Sequence, residues 1–197
     1  MIIGVDVDDT LTSCHKQRLK AIKKFIKDNN LNCQIVDKNA SNSLKICNWN
    51  EQECHKFWLE VGNDMFRDCK PQKSCAKVIN FFKEQGHKIV LITARNDFWH
   101  VDAKKLTEDW LKKHNIGFDK IIYDCVKKKQ VMQKEKINIM IDDNPSVCDE
   151  AKDIDVLPII FSGPQNKDFF DKTVFRANNW QQILKFIKHY KKEQIQK

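Results

Sequence analysis

Short apolar runs alternate with longer amphipathic stretches along most of this chain. The first run, IIGVD from Ile2 to Asp6, predicts a strand that ends among carboxylates. The segment KQRLKAIKKFIKDNN then places Leu19, Ile22 and Ile26 on one helical stripe among lysines, which predicts an amphipathic helix ending near Asn29 and Asn30. Weak periodicity and turn-forming residues from Leu31 to Asn48 predict a short extended piece and a loop. Asn50 with Glu53 three residues later forms a capping-box arrangement, and apolar Cys54, Phe57, Trp58 and Val61 then predict a second helix. From Pro71 onward the pattern is helix AKVINFFKEQ stopped by Gly86, run KIVLIT, helix KKLTEDWLKKH, run KIIYD, a short helix, run INIMIDD, run VLPIIF and a last helix from about Trp180. Runs of four to six apolar residues between helices of ten or more predict a parallel sheet covered on both faces, a doubly wound α/β domain. The helices between residues 14 and 71 interrupt the alternation right after the first strand and read as an inserted cap. The expected division is a core of 1–13 and 72–197 with a cap of 14–71.

Composition adds limits. With 197 residues and 41% hydrophobic content the chain can fill one core plus an insert. No stretch approaches the roughly 18 apolar residues of a membrane span, and the chain enters a strand at once without a charged leader, so the expectation is a cytoplasmic protein with no membrane partner. Eight cysteines are widely spread and form no CxxC pair, which predicts reduced core residues rather than zinc ligands or a disulfide framework. A formal charge of +8 permits phosphate-bearing partners, although the lysines are spread along helices and identify none. The six histidines show no metal-ligand spacing and are expected at the surface or at helix ends.

Chemistry concentrates where the strands end, which is where open parallel sheets bind ligands. Asp6 and Asp8 follow the first strand, Thr93 and Arg95 follow KIVLIT, and Asp142 with Asp143 follows INIMI. Four acidic groups at adjacent strand ends repel one another unless a hard cation sits among them, and oxygen ligands suit Mg2+. Helix and turn capping by Asp is the competing explanation, supported locally by Asn144-Pro145, but it leaves the clustering unexplained.

DVDDTLT, LITAR and IDDNP, in that order and each at a predicted strand end, resemble the first, second and fourth motifs of the haloacid dehalogenase-like (HAD) phosphohydrolase superfamily. Within it, the long helical insert, LITARND and VMQKEKINIMIDDNP make the chain similar to the C-type 5'-nucleotidase family, which includes deoxyribonucleotidases. The resemblance implies a Rossmann-like HAD core with a small helical cap after the first strand. It further implies that Asp6 is the nucleophile that forms an aspartyl phosphate, and that Asp8 is the acid and base for the leaving oxygen and the water. Mg2+ would be held by Asp6, the backbone carbonyl of Asp8, and the Asp142/Asp143 pair. Motif three is one lysine of KKK at 127–129, with Lys128 preferred because it starts the helix before the IDD strand. Thr93 would bind phosphate, and Arg95 phosphate or substrate. Asp9 stands where many superfamily members carry Gly.

The function expected on this basis is Mg2+-dependent hydrolysis of a small phosphorylated substrate, a nucleoside or deoxynucleoside monophosphate, with Trp49, Phe57, Trp58 and Trp99 as candidates for stacking on the base. The alternatives are a polynucleotide 3'-phosphatase, to which the basic charge is suited but the cap is not, and another small-molecule phosphatase such as one acting on sugar phosphates. A non-catalytic binding protein is disfavoured by the intact motifs.

Overall fold

The five apolar runs become the parallel strands β1 (Ile2–Val5), β2 (Lys88–Ile92), β3 (Lys120–Ile122), β4 (Ile139–Asp142) and β5 (Leu157–Phe161), and a sixth, β6 (Phe175–Ala177), pairs parallel with β5. The computed structural model describes residues 1–195, with side chains through residue 190. Side chains alternate across the pleat and so fill two cores. Ile3, Val5, Ile89, Leu91, Ile139 and Ile141 face one side, where α5 (Cys75–Glu84), α6 (Ala103–Lys113) and α9 (Trp180–Ile195) cover them. Val90, Ile92 and Met140 face the other, under α7 (Lys129–Lys134) and α8 (Pro145–Lys152). Gly4 lies between the layers, where a Cβ would stand 2.7 Å from the Met140 sulfur. The strand order β3-β2-β1-β4-β5-β6 makes β1 and β4 neighbours, with the chain winding outward to either side of them. Their carboxyl ends therefore flank the crevice that a doubly wound sheet leaves for a ligand.

Between β1 and β2 stand α1 (His15–Asp28), α2 (Ser43–Ile46), α3 (Glu51–Phe57), a π-helical turn (Trp58–Gly62) and α4 (Asn63–Arg67). They share an apolar cluster of their own that includes Ile22, Phe25, Ile46, Trp49, Phe57 and Met65. The capping box at α3 is complete: Glu53 N donates to Asn50 Oδ1 and Asn50 N to Glu53 Oε2, both at 2.9 Å. Within the π turn Gly62 admits the Trp58 ring, which would stand 2.6 Å from a Cβ there. The segments leading into and out of this insert run antiparallel, with Ser13 N donating to Lys70 O at 2.8 Å and Gln72 N to Leu11 O at 2.7 Å. That arrangement overturns one expectation. Cys14 and Cys69, 55 residues apart in sequence, meet with Cα atoms 5.5 Å apart and form a disulfide, while the other six cysteines are free and mostly buried.

Three elements lie outside the apolar pattern. β6 is only three residues long, and α2 is a single turn capped by Asn42. α8 begins where Asn144 Oδ1 accepts from Ser146 N at 3.0 Å, with Pro145 in the first helical position. Among the described residues no helix is long and apolar enough to cross a membrane.

Candidate active site

β1 and β4 deliver Asp6 and Asp142 side by side, since Asp6 N donates to Ile141 O at 2.9 Å and extends the ladder by one residue. Asp143 follows, and one carboxylate oxygen from each of Asp6, Asp142 and Asp143 lies within 4.8 Å of the others. All three residues are buried. Lys128 reaches into this group, with its Nζ 2.5 Å from Asp6 Oδ1 and 2.7 Å from Asp142 Oδ2. Of the three lysines at 127–129 it is the buried one; Lys127 is exposed and Lys129 pairs with Asp153 at the surface. Glu150 on α8 sets its position by accepting from the backbone N–H groups of Lys128 and Lys129 at the start of α7.

Electrostatics follow from that burial. Desolvation pushes Asp6 up to about 7 even though Lys128 pulls the other way, and the neighbouring Asp142 and Asp8 add to the rise. Desolvation, Asp6 and Asp142 raise Asp143 well above the usual range. Lys128 is raised because the attraction of Asp142 and Asp6 outweighs its own desolvation. Asp143 is held at both oxygens, by Thr10 Oγ1 at 3.3 Å and by Gln165 Nε2, and its carbonyl accepts from Asn166 Nδ2 at 2.7 Å. With Asp6, Asp8, Asp142 and Asp143 ionised, Lys128 and Arg95 leave a formal surplus of two negative charges. A set of hard carboxylate oxygens with that surplus fits a divalent cation such as Mg2+.

Asp8 points elsewhere. Its Oδ2 accepts from Arg95 Nε at 2.9 Å and its Oδ1 from Arg95 Nη2, while the guanidinium lies 3.2 Å from the Phe66 ring centroid and also donates to Thr107. Arg95, expected at phosphate or substrate, is thus directed at Asp8. Burial works to raise the Asp8 carboxyl, but Arg95 outweighs it and holds the group below the usual range. Thr93, fully buried at the end of β2, accepts from Arg95 N at 3.3 Å.

The site cavity, about 200 Å3, is lined by these carboxylates and Lys128, by Ala94 and Val126 from core loops, and by Arg18 and Ser41 from the insert. Asp9 also lines an adjoining cleft of about 680 Å3 that carries Lys16, Lys20 and Lys70. The aromatic candidates for base stacking do not line the site cavity. Trp49, Phe57, Trp58 and Trp99 pack in the apolar cluster of the insert: Phe57 and Trp58 lie on helical turns facing it, Trp49 precedes α3 and meets Phe25 and Phe57, and Trp99 comes from the loop after β2. His100 departs from the expected surface position. It is buried edge-on to Trp58, and desolvation with the nearby Arg95 presses it down to about 4 despite Asp8, so the ring is neutral at pH 7. A lone His after LITARND carries no pattern that reveals this, and neither do Arg18, Gln165 and Asn166.

The comparisons agree with this architecture. The family model described as "5' nucleotidase, deoxy (Pyrimidine), cytosolic type C protein" matches residues 1–193. "Putative nucleotidase YqfW" of Bacillus subtilis (strain 168) is 22% identical over 194 residues, covering 96% of this chain and 94% of that one. Among solved structures, a predicted phosphatase from Clostridium acetobutylicum superposes with a TM-score of 0.66 at 15% identity, over 95% of this chain and 98% of that one. The haloacid dehalogenase-like family protein SP0104 from Streptococcus pneumoniae gives 0.66 at 12% identity, over 94% and 97%. Likeness at such identity concerns the fold, and the fold is that of the HAD hydrolases. By the match along nearly its whole length, the chain belongs to the cytosolic type C 5'(deoxy)nucleotidase family of HAD phosphatases.

Proposed function

We propose that this protein is a Mg2+-dependent phosphomonoesterase that hydrolyses nucleoside or deoxynucleoside 5'-monophosphates through an aspartyl phosphate on Asp6, with residues 14–71 as a cap over the strand ends. One observation carries the reading: Asp6 lies at the switch point of the sheet among Lys128, Asp142 and Asp143, with Asp8 two residues on. Asp6, Asp142 and Asp143 would hold Mg2+, which supplies the positive charge that lets a phosphate dianion approach a carboxylate. Asp6 then attacks phosphorus, the ester P–O bond breaks, and Asp8 gives its proton to the departing oxygen. In the second half Asp8 takes a proton from water, whose oxygen displaces Asp6 and releases phosphate. Lys128 steadies charge on the transferring group, and Thr93 and the backbone of the β2 loop bound the phosphate side. Insert residues Arg18 and Ser41 reach the site cavity, which favours a small substrate.

The adjoining lysine-bearing cleft favours a second reading, a polynucleotide 3'-phosphate whose chain lies along it. Phosphate release from 5'-mononucleotides and from 3'-phosphorylated oligonucleotides, with Mg2+ at two salt concentrations, separates the two. Mononucleotides are expected to be the better substrates, with little salt dependence. An oligonucleotide that wins at low salt and loses its lead steeply as salt rises would replace the first reading with the second. Turnover by a folded Asp6→Asn variant would sink both.

A further inference from the structure

The buried side chains of α1 are Ile22, Phe25 and, unexpectedly, Arg18, which is only 7% exposed. Burying a guanidinium is costly unless its donors are satisfied. Here Asp9 Oδ2 accepts from Nη2 at 3.0 Å, the same nitrogen lies 3.3 Å from His15 Nδ1, and Nε has neither a partner nor contact with solvent. Arginine commonly grips a carboxylate with two nitrogens, so a hold through Nη2 leaves part of the fork in reserve. Asp9 itself sits at φ +57°, in the left-handed region that favours glycine, with its N–H donating to Thr12 Oγ1 at 3.0 Å. A carboxylate in that conformation, placed against a residue of the insert, is an anchor for Arg18. Arg18 lines the site cavity with Asp6, Asp8 and Lys128. The phosphoryl side of that cavity already has Lys128 and the carboxylate triad. Arg18 shares that cavity with Asp8 and is near enough to act on its charge, which puts it on the side of the alcohol that Asp8 would release.

We infer that Arg18 is a specificity residue that donates to an acceptor oxygen on the sugar portion of the substrate, with Asp9 as its anchor. The inference rests on the phosphomonoesterase reading and deepens it by naming the group the cap recognises.

The test compares kcat/KM for thymidine 5'-monophosphate, glucose 6-phosphate and 4-nitrophenyl phosphate, with Mg2+, in the parent chain and in Arg18→Gln, Arg18→Lys and Asp9→Asn. Arg18→Gln is expected to cost the better sugar ester at least about tenfold more than nitrophenyl phosphate, mainly through KM, as loss of a hydrogen-bonding group from a binding site does. Arg18→Lys keeps a cation for Asp9, so it should hold the parent's melting temperature while losing the same selectivity; it carries the comparison if the Gln variant does not fold. Asp9→Asn keeps an acceptor and tolerates the left-handed backbone, and a smaller loss in the same direction is expected. Equal losses on all three esters would make Arg18 a structural strut and overturn the inference, as would a parent that prefers nitrophenyl phosphate to both sugar esters. Preference for glucose 6-phosphate with selectivity that depends on Arg18 would uphold Arg18 and defeat the nucleotide reading instead.

Discussion

Arg95 grips Asp8 through both carboxylate oxygens, and Phe66 and Thr107 fix the guanidinium that does so. The Asp8 side chain nevertheless keeps 46% of its surface open. The residue assigned to proton transfer is thus held as a carboxylate at the site and remains reachable. A base is what the hydrolytic half-reaction needs, whereas departure of the alcohol needs the acid form.

Arg95→Met should therefore raise the Asp8 carboxyl, because its desolvation remains and the opposing guanidinium is gone. The acid limb of the kcat–pH profile is expected to move to higher pH. Profiles measured with nitrophenyl phosphate, whose departure needs little acid help, isolate the base step. An acid limb that stays in place would show that Arg95 does not govern Asp8.

Lys128 offers a contrast in stability. Replacing it with Met leaves Asp6 and Asp142 facing each other in a buried site, and breaking such a pair typically costs about 3–5 kcal/mol. Lys127→Ala, at an exposed position, and Lys129→Ala, half-buried with its ion pair to Asp153 at the surface, should stay within about 1 kcal/mol. Urea melts of the three variants without Mg2+ at pH 8 test this, and Mg2+ should return part of the loss in Lys128→Met. Equal stability across the three would remove Lys128 from the carboxylate cluster.

β1, β2, β4 and β5 were legible because each is a run of four or five residues with both faces covered, so apolar residues continue through it; β3, three residues and not fully buried, was caught by the apolar KIIYD run around it. β6 failed that criterion, with only Phe175, Arg176 and Ala177 in the ladder. Asp6, Asp142 and Asp143 were visible because carboxylates at the ends of buried strands need a reason to be there. Direction was not visible. Arg95 follows a strand as a phosphate ligand would, yet Thr107 on the next helix and Phe66 on α4 turn it to Asp8, and Phe66 comes from a helix on the far side of β2 in sequence. Arg18 reads as one more cation on the solvated face of a lysine-rich helix until Asp9 is seen beneath it. The Cys14–Cys69 pair was hidden for the same reason, since only the antiparallel run of residues 11–13 beside 70–72 brings the two together.

Without metal, the carboxylate cluster should make the fold less stable as pH rises. Asp6 titrates at about 7 when folded and near 3.8 when unfolded, so between those values the folded state holds a proton the unfolded chain has released. Stability then falls across that interval and stays low above it. Asp143 acts in the same sense. His100, lowered to about 4, works the opposite way between there and 6.5, and His114, also lowered by desolvation, acts in the same sense as His100, but both do so with or without metal. The difference between melts in EDTA and in excess Mg2+ therefore isolates the carboxylates, and the stabilisation by Mg2+ is expected to be larger at pH 8 than at pH 5.5. A difference that does not change with pH would contradict binding at this cluster.

Gln165 bears on the same cluster from outside it. Its Nε2 donates to Asp143 Oδ2 and, against the desolvation and repulsion that raise this carboxyl, lowers it. Gln165→Leu removes the donor, so Asp143 is less well aimed and is harder to ionise. Outer partners of metal ligands typically contribute about 10–100-fold in metal affinity, and the Mg2+ concentration for half-maximal activity should rise within that range. Because a proton competes with the cation for Asp143, the rise should be greater at pH 6 than at pH 8, whereas kcat at saturating Mg2+ should change far less. Asn166, which holds the Asp143 carbonyl, is left in place in this variant, and a thermal melt checks that the turn carrying both residues survives. A Gln165→Leu protein with the parent's Mg2+ requirement at both pH values would mean that Asp143 does not ligate the metal, leaving Asp6 and Asp142 to carry it.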